Sequence, residues 1–157
     1  EFLPWAADED VHRQFKSRVK DLGVKVEPYI TQSNGGVMSI GSTVETPILT
    51  ALSGPSAGVV GAIYVCGCAG YTNLITYDMG GTSTDVSLVN DGHAEYTTKR
   101  KVCGLPSGVS MIDVHAVGAG GGSIAYLDNA GALKVGPESA GRNPGPAAYG
   151  LGGEIPW

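Results

Sequence analysis

The chain has 157 residues, with 10 basic against 15 acidic side chains and a formal net charge of −5. That length is one domain or a piece of one, and the lack of a basic stripe argues against a nucleic-acid partner. No apolar run reaches the roughly 18 residues that span a membrane, and no signal-peptide pattern is visible. Cys66, Cys68 and Cys103 are odd in number and irregular in spacing, which argues for buried free thiols in a reducing cytosol rather than a disulfide framework. The 25 glycines are about twice the average share, so tight turns and close backbone approaches are expected.

In chain order, Asp8–Leu22 predicts a helix, with Val11, Phe15, Val19 and Leu22 on one face, Asp8 as cap and Gly23 as stop. Glu9 and Arg13 are spaced for an i,i+4 pair. Val24–Thr31 reads as a strand running into the turn cluster Gln32-Ser33-Asn34-Gly35-Gly36. That cluster either faces a ligand or serves turn chemistry alone. Pro47–Leu52 is a short apolar strand candidate. A helix follows to Cys68, with Ser53 or Gly54 as cap and Pro55 in the first turn. Its small residues suit close packing, and its N-terminus can attract an anion.

Asn73–Asn90 reads as strand, glycine turn, strand. Leu74, Thr76 and Asp78 share one face of the first arm, while Val86 and Leu88 share a face of the second. At the tip, Gly80-Gly81-Thr82-Ser83 carries no bulky side chain, so its backbone N–H groups can point at a ligand. With Asp78 at the mouth and hydroxyls along the turn, the tip suits phosphate oxygens and a hydrated Mg²⁺. A ligand-free β-hairpin is the plain alternative.

Asp91-Gly92 marks the next turn and His93–Lys99 the next strand. Lys99-Arg100-Lys101 is a small basic cluster, read as a solvated face. Val109–Val117 predicts a strand that would place Asp113 and His115 on one side. Such a pair allows a shared metal or an acid orienting a histidine base, and equally a plain surface pair. The glycine run Gly118–Ser123, with Gly120 and Gly121 at its centre, again offers backbone to a ligand. Ser123–Asp128 and Ala132–Val135 predict a hairpin. Residues 136–153 form an aperiodic Gly/Pro-rich loop in which Tyr149 is a candidate anchor.

Several of these segments, taken in order, resemble one family. Strand, Ser53-Gly54-Pro55-Ser56-Ala57-Gly58 helix and Asp78-Met79-Gly80-Gly81-Thr82 hairpin are similar to the connecting helix and second phosphate loop of actin-like ATPases. More specifically, Gln32–Gly36, Leu52–Pro55, Tyr77–Val86, Asp113–Ser123 and Gly136–Ala147 resemble the hydantoinase A / 5-oxoprolinase / acetone carboxylase family. Ile112–Gly118 is closest to the N-methylhydantoinase A branch, since the oxoprolinase branch tends to carry Asn where His115 stands. Ala148 departs from the family pattern, which often has Cys there, and so does the ending Glu154–Trp157.

The resemblance implies an α/β, partial actin-like ATPase (ribonuclease H-like) fold with a mixed sheet, β-hairpins and packing helices. It implies a central slice of a longer protein, with the first phosphate loop upstream and the adenosine segment downstream. The 157 residues alone would then be inactive. The implied activity is ATP-dependent opening of a cyclic amide or imide in the cytoplasm, with ATP and Mg²⁺ and a hydantoinase B-like second subunit as partner. Gly80, Gly81, Thr82 and Ser83, with Gly120 and Gly121, would hold the nucleotide. Asp78, Asp113 and His115 would be catalytic or bind Mg²⁺ or a further divalent metal. A ketone carboxylase subunit and a non-enzymatic actin-like nucleotide-binding module are the alternatives.

Overall fold

The computed structural model describes residues 9–102 and 104–154. In chain order the elements are α1 (Glu9–Asp21), β1 (Tyr29–Thr31), β2 (Val37–Ser39), α2 (Ile40–Glu45), a 3₁₀ turn (Pro47–Thr50) and α3 (Ser53–Cys68). Then come β3 (Leu74–Met79), β4 (Thr84–Asn90), β5 (His93–Ala94), β6 (Tyr96–Thr97), β7 (Lys101–Val102), β8 (Leu105–Pro106) and β9 (Met111–Ile112). The chain continues with β10 (Val114–Val117), β11 (Ser123–Leu127), β12 (Leu133–Ser139) and a second 3₁₀ turn (Ala147–Tyr149). The described residues cluster into two compact units, one from the start through residue 74 together with 88–113, the other 75–87 together with 114 onward.

In the first unit α1 ends as its residues dictate. Leu22 and Gly23 donate back to the carbonyls of Arg18 and Lys20, and Gly23 takes φ 79°, where a residue without Cβ is unstrained. The expected Asp8 cap and the Glu9–Arg13 side-chain pair lie outside the described residues, as does Cys103. Lys16 meets Glu27 at 3.0 Å, but both are more than half exposed, so the pair adds little. Most of the strand expected over 24–31 is absent, and only Tyr29–Thr31 pairs, with Val37–Ser39.

Between them the Gln32–Gly36 turn is fixed by buried hydroxyls. Ser33 Oγ donates to the carbonyls of Leu49 and Ala51, and Ser56 Oγ donates to the carbonyl of Ser33 at 2.8 Å. A Cβ at Gly35 would lie 2.7 Å from Val60 Cγ2 and 3.0 Å from Ile112 Cδ1, so the turn packs directly on the core. Turn and packing chemistry therefore account for this cluster.

The apolar strand expected at Pro47–Leu52 is instead a 3₁₀ turn. Pro47 lacks an N–H for a ladder, and local i→i+3 bonds such as Thr50 Oγ1 to the Pro47 carbonyl take its place. The α3 boundaries match the expectation, but its cap does not. Leu52, at φ 61°, holds the N-cap position with no side-chain bond, and Pro55 stands two residues inside the first turn. Cys66 is half-buried and Cys68 exposed, both free, so neither is the buried thiol that composition suggested. Among the described residues no helix is long and apolar enough to cross a membrane.

The unit's core is Met38, Ile40, Val59, Val89, Met111 and Ile112. Asp91 (φ 49°) and Gly92 (φ 76°) make the expected turn, pinned by Asn73 Oδ1 and the Thr72 carbonyl, and β5 pairs with the end of β4. An open groove of about 540 Å³ lined by Lys16, Lys20, Lys25 and Glu27 contains none of the expected site residues.

The second unit holds the tip of the β3–β4 hairpin. Its sheet runs β10-β4-β3, with Val114–Val117 antiparallel to Ser87–Thr84. In β4 the residues that bury are Thr84, Ser87 and Val89, not the expected Val86 and Leu88. Thr76 Oγ1 accepts from Ser87 N–H, so a side chain takes a place in the ladder and the alternation slips there. The expected β11–β12 hairpin forms, with Asp128 Oδ1 accepting from the N–H groups of Ala130 and Ala132.

Candidate functional site

The β3–β4 tip is closed by Gly80 N–H donating to the Ser83 carbonyl at 2.9 Å. That bond leaves Gly81 and Thr82 at the apex, both exposed, with Ser83 half-buried. Among the described residues, the N–H groups of Gly81 and Thr82 have no acceptor. Backbone donors seek partners, so two neighbouring free ones at a side-chain-poor tip form a ready anion cradle. Asp78 is exposed two residues before the first glycine, near the end of β3.

The second glycine run packs against the first. Gly121 N–H donates to the Gly80 carbonyl at 2.9 Å, and Gly122 N–H donates to the Gly81 carbonyl at 2.8 Å. Gly120 N–H is taken by Ser123 Oγ at 2.9 Å. A Cβ on Gly120 would lie 2.7 Å from Gly80 O, Gly81 C and Thr82 N alike, so only glycine permits this approach. The N–H groups of Gly120 and Gly121, expected to meet a ligand, are therefore engaged within the protein. Gly121 and Gly122 instead hold the carbonyls of the first loop.

Further bonds clamp the pair. Thr84 Oγ1 donates to the Ala119 carbonyl at 2.6 Å, while Ser139 Oγ and Ala140 N–H both donate to the Gly122 carbonyl. Tyr149 reaches the same place. A Cβ on Gly145 would lie 2.7 Å from its Cδ2, one on Gly81 would lie 3.2 Å from its hydroxyl oxygen, and one on Gly121 3.7 Å. Ser139 and Thr84 were not predicted. Their roles depend on contacts 17 and 35 residues away in the chain, which periodicity does not report.

Asp113 and His115 are placed differently from expectation. The strand predicted over Val109–Val117 breaks at Asp113, and its halves β9 and β10 pair with different strands. The expected strand is therefore not continuous from Asp113 to His115. Asp113 N–H donates to the Glu95 carbonyl, and its carboxylate stands 3.8 Å from Arg100. Arg100 thus has an acid partner rather than only solvent. His115 is exposed in β10 opposite Val86. Among the described residues no three His, Cys, Asp or Glu side chains converge as a metal cluster.

The α/β architecture, with a glycine-tipped hairpin backed by a second glycine loop, is an actin-like ATPase-type fold. The chain belongs to the hydantoinase/oxoprolinase family, whose sequence model matches residues 8–156. It is 42% identical over 137 residues to a caprolactamase subunit alpha from Pseudomonas jessenii, covering 87% of this chain and 20% of that protein. The crystal structure of the ATP-dependent caprolactamase from the same organism superposes with a TM-score of 0.69 at 36% identity, over 94% of this chain and 22% of the other. A nucleotide-free acetone carboxylase, solved to explain ATP-dependent acetone carboxylation, gives 0.66 at 32% identity, over 85% and 19%. The chain thus spans about a fifth of the length of these relatives.

Proposed function

We propose that this chain is the phosphate-binding wall of the ATPase region in a cytoplasmic enzyme that opens cyclic amides or imides with ATP. The observation that carries the reading is the free N–H pair of Gly81 and Thr82, in a loop whose Gly80 and Gly81 carbonyls are held by Gly121 and Gly122. The residues fit the group: a cradle that a Cβ would fill, hydroxyls at Thr82 and Ser83, and one exposed acid. Gly80, Gly81, Thr82 and Ser83 would hold phosphate oxygens, and Asp78 would take the hydrated Mg²⁺ or orient a nucleophile. ATP would supply a phosphoryl group to the amide oxygen, making the amide carbon an electrophile that water attacks, with the C–N bond breaking as the ring opens. The chain's own part is positioning and charge neutralisation, which dominate phosphoryl transfer.

His115 and Asp113 are candidates for substrate or divalent-metal contact, with Asp113 held by Arg100. The cyclic-amide class is supported by the relative named a caprolactamase. That relative's description as a subunit supports a second, hydantoinase B-like partner. The likeness to acetone carboxylase favours, as a second reading, a subunit that uses the same activation to carboxylate a ketone.

The test is a family-length protein carrying this segment, assayed for phosphate release with ATP–Mg²⁺ against cyclic amides, imides, and ketones with bicarbonate. Ring-opened product is expected. Carboxylated ketone would establish the second reading, and nucleotide binding without product would make the chain a non-enzymatic nucleotide module.

A further inference from the structure

We propose that Tyr149 is a third donor of this phosphate site, its hydroxyl hydrogen-bonding an oxygen of the anion held by Gly81 and Thr82. The inference rests on the reading of the β3–β4 tip as the phosphate loop. Three glycines, Gly81, Gly121 and Gly145, each border the Tyr149 side chain where their own side chains would stand. The Gly145 position faces ring carbon Cδ2, and the Gly81 and Gly121 positions face the hydroxyl oxygen. The ring therefore lies along a glycine-walled slot with its polar end at the apex of the hairpin.

That slot is built by the chain around it. Gly145 takes φ 69°, and Tyr149 closes a 3₁₀ turn through its N–H to the Pro146 carbonyl at 2.9 Å. Gly141 N–H bonds Ser139 Oγ, which itself bonds the Gly122 carbonyl, so the segment bearing the tyrosine is tied to the second glycine loop. Among the described residues the Tyr149 hydroxyl has no hydrogen-bond partner. A phenol carried to within contact of a glycine loop, beside two backbone donors that also lack acceptors, completes a three-donor arrangement. All three groups can give a proton to one anion, and a phosphate oxygen accepts several such bonds.

Equilibrium titration of the family-length protein with ATP and, separately, with adenosine tests this without substrate present. Tyr149→Phe keeps the ring in its slot and removes only the hydroxyl. The expected result is about a tenfold loss of ATP affinity, the scale of one hydrogen bond to a charged group, with adenosine affinity unchanged. ATP affinity within about twofold of the parent would overturn the proposal, and so would an equal loss for ATP and adenosine, which marks a structural role. Gly81→Val separates the underlying reading. If that variant folds and binds ATP as the parent does, the tip is not the phosphate loop and both readings fall. If it loses ATP while Tyr149→Phe does not, only the tyrosine assignment fails. Should Tyr149→Phe not fold, Gly81→Ala serves instead. Its Cβ would press the hydroxyl from 3.2 Å, so ATP affinity should drop, and an unchanged affinity would overturn the proposal.

Discussion

The two glycine loops of the second unit have similar composition and opposite backbone roles. At residues 80–83 the carbonyls of Gly80 and Gly81 face inward as acceptors, and the N–H groups of Gly81 and Thr82 are left over. At residues 120–122 the N–H groups are all engaged, to Ser123 Oγ and to those two carbonyls. A glycine run alone therefore does not identify a binding loop. Counting where each backbone donor goes tells the two apart, because a buried N–H must be paired whereas one left free at the surface is available to solvent or a ligand. By that count the first loop offers free donors and the second braces it.

The largest effect expected from this contrast is on the acid that only the first loop carries. Asp78→Asn in a family-length protein should cut ATP turnover about a hundredfold, about 3 kcal/mol of barrier, because a neutral amide is a poor partner for Mg²⁺ or for orienting a nucleophile. Steady-state phosphate release measures it, and turnover within about threefold of the parent would remove Asp78 from the chemistry.

Next comes the contact between the loops. Gly120→Ala should destabilise the protein by about 2–3 kcal/mol, since its Cβ meets three backbone atoms at 2.7 Å and none can swing aside as a side chain could. Denaturant unfolding reads this directly. An unchanged midpoint would show that the loops are not in direct contact in solution.

A smaller effect is expected at the clamp. Thr84→Val keeps shape but removes the donor to the Ala119 carbonyl in a nearly closed environment, which should cost about 1–2 kcal/mol. A melting temperature equal to the parent's would mean that water reaches that carbonyl.

The parts of this fold that were legible in the sequence are those set by neighbours in the chain. The α3 span, the Asp91-Gly92 turn and the Asp128–Gly131 hairpin follow from caps, turn residues and periodicity within a few positions. The glycine tip was legible as a candidate loop for the same reason. The docking of Gly120 onto Gly80–Thr82 was not, because it joins segments some forty residues apart and leaves no periodic trace. The break at Asp113 was also hidden. It arises from a backbone bond to Glu95 and a pairing with Arg100, whereas Val109–Val117 read alone looks continuous. Leu52 at φ 61° escaped for a different reason, since local rules place a polar residue or glycine at that cap and the surrounding hydroxyl network overrides them.

The smallest expected effect is the sharpest test of the contrast, because it compares adjacent glycines. Gly121 sits beside Gly120 in the same loop, yet a Cβ there would meet only Gly80 O and the Tyr149 hydroxyl oxygen, both at 3.7 Å, which is ordinary contact. Gly121 also lacks the positive φ that would penalise a side chain. Its N–H bond to the Gly80 carbonyl survives substitution by alanine, since that bond uses the backbone alone. Replacing glycine where the backbone is already compatible restricts the unfolded chain and favours folding by about 0.4–1 kcal/mol. Against that stands a slight crowding of the tyrosine, so the net change for Gly121→Ala should lie within about 0.5 kcal/mol of zero. Parallel unfolding curves for Gly120→Ala and Gly121→Ala measure the difference, expected to be about 1.5 kcal/mol or more in favour of Gly121→Ala. Equal destabilisation of the two would mean that the whole run, not one position, carries the close approach, and the assignment of Gly120 as the contact point would be wrong.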